Sequence, residues 1–326
     1  MGILVILEQK GNSIHRMSLE AVAGAQDMAD KLNMEVSVLL MGGDVSPHVE
    51  KAQGLELKEV IVAQHQLLDE YSCDGFSEAV RQVIEKESPK FIVMAHTYMV
   101  RDFLPRVSAL TGIPFISDVV SFQAIDENPV FTKQMFNSKL GSDIVVNGSQ
   151  GSLISFQSAA YQADSLRKGN ASVRDVEISI THDQIRSESE TPFQESSGGV
   201  DLTSAEVIVS IGRGIGEESK IPIVEELASA LGAEIAASRP VVDSGWLPSF
   251  RQIGSSGQNV SPKLYFSMGI SGAIQHVVGM KGSQNIIAIN KDPEAPIFEL
   301  ADYAVVGDLH EIVPKLTEAI RSSKNL

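Results

Sequence analysis

The sequence contains one cysteine among its 326 residues, and it has no long hydrophobic run. A single cysteine, Cys73, cannot form an intrachain disulfide, and it cannot supply the ligands of a zinc ribbon or a cysteine-bound cluster within this chain. The longest apolar stretches, such as Ile3–Leu7, have the length of a strand, whereas a membrane-spanning helix needs roughly 18 apolar residues. The opening segment Met1–Val5 carries no basic export or import signal. We therefore expect a cytoplasmic protein with no direct membrane insertion.

Basic residues are also scarce. The sequence has 26 Lys and Arg against 42 Asp and Glu, which gives a net charge of −16 and a pI near 4.9. A protein that grips nucleic-acid phosphates needs an excess of positive charge, so the balance argues against a nucleic-acid partner. The plainest interpretation of the acidity is solubility. Any anionic ligand must be held by local groups, such as helix N-termini or single arginines.

Several catalytic motifs are missing from the sequence. It has no G-x-x-x-x-G-K-[ST] loop, no H-E-x-x-H, no C-x-x-C and no G-x-S-x-G elbow, since Gly269–Gly272 is one residue too short for the last of these. Apart from His276, the histidines are scattered, so we expect no metal centre. These are His15, His48, His65, His96, His182 and His310.

What the sequence does contain is a globular composition, with 43% hydrophobic and 21% charged residues. At roughly 150 residues per domain, its length suggests about two domains. In the first half, apolar strands alternate with amphipathic helices, which predicts a parallel sheet covered on both faces. We predict strands at Gly2–Leu7, Glu35–Met41, Val60–Ala63 and Phe91–Ala95, and helices at Ser18–Leu32 and Phe76–Glu87.

After Ile113-Pro114 the pattern changes to short β-like runs, and we expect an antiparallel extension there. The runs are Phe131–Phe136, Ile144–Asn147 and Ser152–Phe156. The stretch from Asp183 to Asp201 is then rich in acids, Ser and Gly and poor in apolar residues, which predicts a linker. We expect an N-terminal α/β domain at 1–186, a linker or hinge at 187–202 and a second domain at 203–326.

The second half begins a new series of alternating strands and helices, which predicts a doubly wound, Rossmann-like domain. We predict strands at Glu206–Ile211, Glu234–Ala237, Leu264–Met268, Asn285–Asn290 and Ala304–Val306, and helices at Glu217–Leu231, Ser271–Met280 and Leu309–Arg321. Ligands of such sheets bind beyond the carboxyl ends of the strands. Glycines, polar groups and lone charges follow every one of these predicted strands, so we expect the ligand site there.

Two glycine-rich turns are the best candidates within that edge. Gly212–Gly216 reads G-x-G-x-G after a strand and resembles a phosphate-cradling turn, although a tight turn without a ligand explains it equally well. Ser267–His276 places Ser271 between two glycines where a strand becomes a helix, so free amides and His276 would face a ligand. The alternative is that Ser271 is only an N-cap and His276 a core histidine.

Two further features lie near the same edge. Arg239 stands between Ser238 and Pro240 at the end of an apolar strand, where an arginine needs an anionic or aromatic partner. Gly254–Gly257 is a small hydroxyl-rich loop, which fits either a turn or a second ligand clamp.

Taken together, the second-half motifs resemble the C-terminal domain of electron transfer flavoprotein alpha subunits. The strings S-G-A-I-Q-H and I-N-K-D-P-x-A-P-I-F are highly specific to that family, and the similarity runs from about Ile211 to Val313. The first half is similar more loosely, at Leu110–Pro114 and Ser117–Val119. The segments that carry the resemblance are Ser238–Pro248, Gln252–Gly257, Leu264–His276 and Ile287–Phe298.

The resemblance implies an FAD-containing electron carrier rather than an enzyme with its own substrate chemistry. The second domain would hold FAD, and the first would form a heterodimer with an electron transfer flavoprotein beta subunit. The implied donors are flavin dehydrogenases, such as the acyl-CoA dehydrogenases of fatty acid beta-oxidation, and the acceptor is a quinone reductase or another redox protein. Electrons would pass through an anionic flavin semiquinone. The family also suggests that the cofactor domain swivels, with the acidic stretch as the hinge.

The resemblance also implies the residues that contact FAD. Arg239 would lie over the isoalloxazine ring, the Ser256 hydroxyl near its N5, and His276 near the pyrimidine carbonyl, while Asn290, Asp308 and Leu309 would line the adenosine end. The full expected set is Arg213, Ser238, Arg239, Ile253, Gly254, Ser255, Ser256, Ser271, Gly272, Ala273, Ile274, Gln275, His276, Asn290, Asp308 and Leu309.

The hydroxyl loop departs from the family pattern, because Ser255-Ser256-Gly257-Gln258 replaces the common Gln-Thr-Gly-Lys. Serine keeps the hydroxyl that Thr would offer, but the lost Gln and Lys side chains leave the flavin potential open. Positive charge at the ring favours the reduced, anionic form, so we expect Arg239→Ala to lower the first reduction potential. His276 would act in the same direction if it is protonated or donates a hydrogen bond.

Three other interpretations stay open from the sequence. A nicotinamide-dependent oxidoreductase would use Gly212–Gly216 and Glu234, and would bind NAD as a colourless protein. A cofactor-free scaffold subunit would tolerate replacement of Arg239 and His276. An electron-bifurcating complex would carry a second flavin in the partner subunit.

Overall fold

The structure is a computed structural model, and it describes residues 2–125, 128–136, 139–146, 151–187 and 201–324. The chain divides into two compact units, Met1–Phe193 and Gln194–Leu326, each with its own parallel sheet. Most of the linker predicted at 187–202 lies outside the described residues. None of the helices in the described ranges has the combined length and hydropathy needed to cross a bilayer.

The first unit is built on a nine-stranded sheet in the order β11-β5-β4-β1-β6-β10-β7-β8-β9, with a separate hairpin of β2 and β3. Its strands are β1 (Ile3–Leu7), β2 (Gln9–Lys10), β3 (Ser13–Ile14), β4 (Val36–Gly42), β5 (Glu59–Gln64), β6 (Phe91–Ala95), β7 (Phe115–Ile125), β8 (Asn128–Met135), β9 (Leu140–Val145), β10 (Ser152–Phe156) and β11 (Ser172–Asp175). Its helices are α1 (Arg16–Leu32), α2 (Ser46–Gln53), α3 (Cys73–Glu87) and α4 (Tyr98–Thr111).

The predicted parallel sheet of the first half is confirmed. Strands β1, β4, β5 and β6 pair in parallel and are almost fully buried, and hydrophobic side chains cover both faces of the sheet. Burial of a strand on both faces explains why these segments read as continuous apolar runs rather than as alternating patterns. Helices α1 and α3 start two or three residues earlier than predicted, within the usual uncertainty of helix ends.

The antiparallel extension is confirmed for β7, β8 and β9, which pair antiparallel in sequence. The prediction was wrong for Ser152–Phe156. This segment is β10, and it lies between β6 and β7 in parallel with both. Every residue of β10 is buried, as expected for a central strand, and the run of apolar and small residues gives no sign of strand direction.

Helix α4 was missed by the sequence analysis, although its buried side chains have helical spacing. Val100, Phe103, Leu104 and Val107 pack on one face of the sheet. Pro105 lies inside this helix and hides the pattern, because proline normally signals a helix end. The short helix α2 and strand β7 were missed as well.

The second unit has a five-stranded sheet in the order β13-β12-β14-β15-β16. Its elements are β12 (Val207–Ile211), α5 (Pro222–Leu231), β13 (Glu234–Ala237), α6 (Arg239–Asp243), β14 (Leu264–Met268), α7 (Ile274–Val277), β15 (Ile286–Asn290), β16 (Tyr303–Val306) and α8 (Leu309–Lys324). All neighbouring strands are parallel, so their carboxyl ends lie at one edge. The strand order reverses between β12 and β14, and such a switch point is where open parallel sheets bind ligands.

Two helices of this unit are shorter than predicted. The predicted Glu217–Leu231 helix begins only at Pro222, after 3₁₀ turns at Arg213–Ile215 and Glu218–Lys220. The predicted Ser271–Met280 helix is reduced to α7, because residues 269–273 form an irregular loop with two glycines at positive φ. Both differences lie in the segments that follow a strand at the carboxyl edge.

Candidate functional site

The carboxyl edge of the second sheet collects the predicted site residues from all five strands. Gly212 and Arg213 follow β12, Ser238 and Arg239 follow β13, and the Gly269–His276 segment follows β14. Asn290 is the last residue of β15, and Asp308 follows β16. Parallel pairing brings these ends together although they are up to 96 positions apart in the chain, between Gly212 and Asp308.

At the switch point, the glycine turn after β12 packs directly against the loop after β14. The Gly212 N–H donates to the Met268 oxygen over 2.8 Å, and the Gly214 N–H donates to the Gly269 oxygen over 3.0 Å. A Cβ on Gly212 would lie 2.3 Å from the Gly269 oxygen, and one on Gly214 would lie 2.7 Å from the Gly269 Cα. These glycines allow two backbones to touch. Of the two interpretations of Gly212–Gly216, these bonds favour the tight turn, because the amides of Gly212 and Gly214 are already paired.

Unpaired amides lie instead in the loop after β14. Within the described ranges, the backbone N–H groups of residues 271–275 donate to no protein acceptor. Unpaired backbone donors are rare in folded proteins unless water or a ligand takes them. Two hydrogen bonds to other segments fix the position of this loop. The Ser271 oxygen accepts the Ile297 N–H over 3.1 Å, and the Ile270 oxygen accepts the Asn290 side-chain amide over 2.9 Å. A fixed row of free donors suits an anionic group.

Gly272 has a positive φ of +90°, and it lies close to the backbone of the next crossover. A Cβ at this position would lie 2.2 Å from the Ile297 nitrogen, so only glycine fits. Ser271 is not an N-cap, because the cap position of α7 is Ala273 and no side chain caps that helix. The N-cap alternative for Ser271 is thus excluded, because its hydroxyl does not cap α7.

His276 is buried, and its imidazole is held by a tyrosine. The Tyr265 hydroxyl lies 2.8 Å from Nε2, while Nδ1 has no hydrogen-bond partner among the described residues. Burial lowers the pKa of His276 to about 4, and a backbone interaction with Ile253 only partly opposes this shift. The imidazole is therefore neutral at pH 7. Of the two roles expected for His276, a protonated cation is not supported, and a neutral hydrogen-bond donor remains.

The hydroxyl loop packs on the same segment. Ile253 continues the edge of β13 through its N–H, which donates to the Ala237 oxygen over 2.9 Å, and the Ser255 N–H donates to the Gln275 oxygen over 2.7 Å. Gly254 leaves no room for a side chain, because a Cβ would lie 2.5 Å from the Gln275 oxygen. The structure thus joins two motifs that the sequence showed separately. The Gln252 side-chain amide donates to the Ser256 hydroxyl over 2.9 Å, so that hydroxyl keeps its own proton for another acceptor.

Two arginines are exposed at neighbouring strand ends. Arg213 lies in the 3₁₀ turn after β12, and no side chain in the described segments pairs with it. Arg239 opens α6 with its side chain 68% exposed, and its Nε lies 3.3 Å from the Asp243 carboxylate. An exposed pair of this kind is weak, so a stronger anion can take the guanidinium from Asp243.

The residues expected at the adenosine end have structural partners already. Asp308 accepts the His310 N–H over 2.9 Å at the start of α8 and pairs with Lys291 over 3.0 Å, and both interactions lower its pKa. The Asn290 side chain supports the Ile270 carbonyl, and Leu309 packs under Gly269. These three residues stabilise the loops at the carboxyl edge of the sheet. Their contact with a ligand stays a prediction.

Tyr265 and Gln252 were not singled out from the sequence. Both lie inside segments that carried the resemblance, yet each acts through a partner four or more positions away. Tyr265 sits in an apolar strand, where it reads as a core aromatic. A buried tyrosine needs a hydrogen-bond partner, and this requirement was the available signal.

As a whole, the edge offers free amides, two exposed guanidinium groups, a hydroxyl and a neutral imidazole. These groups donate hydrogen bonds and positive charge. They suit an extended anionic ligand with a polar ring system, of the dinucleotide class, placed at the switch point.

Comparison with known proteins agrees with this description. Residues 3–181 match the family described as the electron transfer flavoprotein domain, and residues 201–281 match the electron transfer flavoprotein FAD-binding domain. The chain is 34% identical to the electron transfer flavoprotein subunit alpha of Bacillus subtilis, over 98% of this chain and 97% of that protein. It is 32% identical to the protein of the same name from Clostridium acetobutylicum, over 99% of this chain and 98% of that one.

A third relative has a different name. The acryloyl-CoA reductase electron transfer subunit beta of Anaerotignum propionicum is 32% identical over 99% of this chain and 96% of that protein. All three matches span both compact units, so the similarity covers the whole architecture rather than the second unit alone.

Proposed function

The chain belongs to the electron transfer flavoprotein alpha-subunit family, and we propose on this basis that it is the FAD-holding subunit of a heterodimeric electron carrier. The partner is an electron transfer flavoprotein beta subunit. The heterodimer accepts electrons from flavin dehydrogenases, acyl-CoA dehydrogenases among them, and passes them to a quinone reductase or another redox acceptor.

One observation supports the cofactor most strongly. The backbone amides of residues 271–275 form a run of free donors at the switch point of the second sheet. A dinucleotide carries a diphosphate, and amides are well suited to hold it without any excess of basic residues. Under this proposal, backbone amides rather than basic side chains hold the anionic cofactor, which is compatible with a net charge of −16.

The remaining donors fit the other parts of FAD. Arg213 and Arg239 supply positive charge from the ends of β12 and β13, and Ser238 lies beside Arg239 as the residue before α6. The free proton of Ser256 can be donated to a ring nitrogen, since Gln252 already donates to its oxygen. The neutral His276 can donate from one ring nitrogen only.

FAD, when bound, supplies the reversible uptake of one or two electrons. The chain's own residues bind the cofactor, orient it and set the charge around it. A fixed guanidinium near the ring stabilises added negative charge and raises the reduction potential, and Asp243 reduces this effect because it shares the Arg239 charge.

We further propose that residues 1–186 form the heterodimer scaffold, 203–326 the FAD-binding domain and 187–202 a hinge between them. The acidic, glycine-bearing composition of the connecting stretch supports this division.

The test is to purify the chain together with its beta subunit and to record its absorbance through stepwise reduction. We expect a yellow protein that releases one FAD per heterodimer. A colourless heterodimer that stays empty with excess FAD, or one that releases NAD, would contradict the proposal. Two FAD per heterodimer would indicate a bifurcating complex with a second flavin in the partner.

A further inference from the structure

Tyr265 is one of the largest fully buried side chains in the protein, and it lies on β14 beneath the proposed cofactor loops. Its hydroxyl is 2.8 Å from Nε2 of His276. Burial raises the pKa of Tyr265, so the phenol keeps its proton, and an interaction with the Ser210 hydroxyl on the neighbouring strand opposes this shift. A buried phenol must place its proton on an acceptor.

Nε2 of His276 lies within hydrogen-bond distance of this phenol and can accept its proton. A neutral imidazole has one N–H donor and one acceptor nitrogen, and its tautomer is set by the partners of the two nitrogens. If the Tyr265 O–H donates to Nε2, the proton of His276 must be on Nδ1.

His276 also stands where the two proposed cofactor loops meet. It ends the run of free amides at residues 271–275, and the Gln275 oxygen before it accepts the Ser255 N–H over 2.7 Å. A Cβ on Gly254 would lie 3.4 Å from the His276 Cα. The backbone of His276 therefore lies where the amide loop and the hydroxyl loop that carries Ser256 are in contact.

We propose that Tyr265 is a positioning residue for the cofactor site: it donates its proton to His276 Nε2, which fixes the Nδ1–H tautomer and the spacing between the hydroxyl loop and the amide loop. The proposal deepens the proposed function and rests on it for the cofactor. Tyr265 itself does not touch the ligand. It acts through His276, which was singled out from the sequence, whereas Tyr265 was not.

The first measurement is the tautomer, which needs no cofactor. Nitrogen-15 NMR of the full chain labelled at histidine separates protonated from unprotonated ring nitrogens, and His276→Gln identifies the signal. We expect Nδ1 protonated and Nε2 unprotonated in the wild-type chain, and a changed pair of shifts in Tyr265→Phe. A proton on Nε2 in the wild-type chain would overturn the proposal even if the Tyr265→Phe variant did not fold.

The second measurement is FAD binding and flavin potential in the complex with the beta subunit. We expect Tyr265→Phe to raise the FAD Kd about tenfold, because one buried nitrogen loses its partner. The matched control is Ser267→Ala on the same strand, since the Ser267 hydroxyl is fully buried without a partner and its loss should leave the Kd unchanged. The double variant Tyr265→Phe/His276→Gln should bind FAD as His276→Gln does, because Tyr265 acts only through His276.

The outcomes distinguish a failure of the role proposed for Tyr265 from a failure of the proposed FAD binding. Wild-type FAD binding with an unchanged Kd and potential in Tyr265→Phe, or equal effects of Tyr265→Phe and Ser267→Ala, would overturn the role of Tyr265 alone. A wild-type complex that binds no FAD would overturn the proposed function, whatever the tautomer. The expected tautomer together with a raised Kd that vanishes in the His276→Gln background would support both.

Discussion

The two units of this protein carry polar residues at the carboxyl ends of their parallel strands, but the two edges differ in how those groups are paired. In the second unit, the backbone amides of residues 271–275 lack protein acceptors within the described ranges, and Arg213 and Arg239 are exposed. In the first unit, His96, Thr97 and Ser155 at this edge are hydrogen-bonded within the protein.

The first edge is a closed network. His96 follows β6, and its Nδ1 lies 2.8 Å from the hydroxyl of Ser155, which is fully buried. The same hydroxyl accepts the Asp118 N–H over 3.1 Å. Thr97 donates to the Glu8 carboxylate over 2.6 Å and caps α4 by accepting the Val100 N–H. Each of these named groups has a partner from the protein itself.

This difference shows that the location of polar residues at the carboxyl edge of a sheet is not sufficient to make a ligand site. Burying a hydrogen-bonded group costs little, whereas an unpaired donor is costly unless a ligand or water takes it. Among the described residues, the second edge carries a run of five such donors at residues 271–275, whereas the side chains of Thr97 and Ser155 at the first edge are paired. The ligand site is therefore expected where donors are left open, and the following predictions test this contrast.

The largest effect is expected from Gly272→Ala. A Cβ would lie 2.2 Å from the Ile297 nitrogen, so the loop must move and its amides lose their alignment. We expect FAD affinity of the complex to fall at least about 100-fold, which corresponds to about 2.7 kcal/mol. Isothermal titration of the complex with FAD measures this.

The control for this variant is Gly232→Ala. Gly232 also has a positive φ, +72°, but a Cβ there would meet nothing within 4 Å. It should cost some stability through backbone strain and leave FAD affinity unchanged. Equal losses of affinity in both variants would show that strain alone, rather than the close packing at Gly272, controls binding.

The second effect is a pH dependence from His276. Its pKa of about 4 in the folded protein lies below the value near 6.5 expected when the chain unfolds. Well above pH 6.5, the imidazole is neutral in both the folded and the unfolded state, and its full contribution to the free energy of unfolding is present. As the pH falls towards 4, the unfolded state binds a proton before the folded state does, and the free energy of unfolding decreases. The loss attributable to His276 is about 3 kcal/mol.

This loss can be isolated with His276→Gln. Trp246 is the only tryptophan of the sequence and packs in the second unit, so its fluorescence follows unfolding of that unit. Between pH 7 and pH 4.5, the wild-type chain should lose about 2 kcal/mol more unfolding free energy than the variant. Equal losses would mean that His276 is charged or exposed in the folded protein.

The third effect is electrostatic. Arg239→Ala should lower the first reduction potential of bound FAD. For two charges about 4 Å apart, the expected decrease is about 40 mV at an effective dielectric constant of about 80 and about 170 mV at about 20. Because Arg239 is 68% exposed and shares its charge with Asp243, we expect a value near the lower bound. Potentiometric titration of the complex measures the shift.

Two variants sharpen this measurement. Arg239→Lys keeps the positive charge, so the first reduction potential should stay close to the wild-type value. Asp243→Asn removes the neighbouring negative charge and should raise the first reduction potential. A potential that does not respond to Arg239→Ala would remove this residue from the flavin environment.

The smallest effect is expected at the closed edge. Ser155→Ala leaves the Asp118 N–H and His96 Nδ1 without their partner, which should cost about 1–2 kcal/mol of unfolding free energy. FAD affinity should not change. Calorimetry of the full chain measures the loss, and Ser13→Ala, at an exposed hairpin serine, is the control. A large loss of FAD affinity in Ser155→Ala would contradict the contrast between the two edges.

Local sequence patterns were enough to predict the order and type of most elements and the loops that follow each strand. These features depend on local patterns: a strand buried on both faces must be apolar throughout, and a helix must place apolar residues at helical spacing. The specific strings around Ser271–His276 and Asn290–Phe298 also identified the family. Where proline broke the local pattern, at Pro105, the helix was missed.

Which polar groups remain without a protein partner depends on how distant segments pack in the folded chain. Gly212 and Gly214 looked like a phosphate turn, but the parallel register of β12 and β14 bonds both amides to residues more than 50 positions away. Register likewise placed Ser152–Phe156 between two parallel strands. The burial that keeps His276 neutral and the contact that pairs it with Tyr265 arise only after the chain has folded. Hydrogen-bond partners and burial depend on what distant segments bring close, and no local pattern encodes that distance.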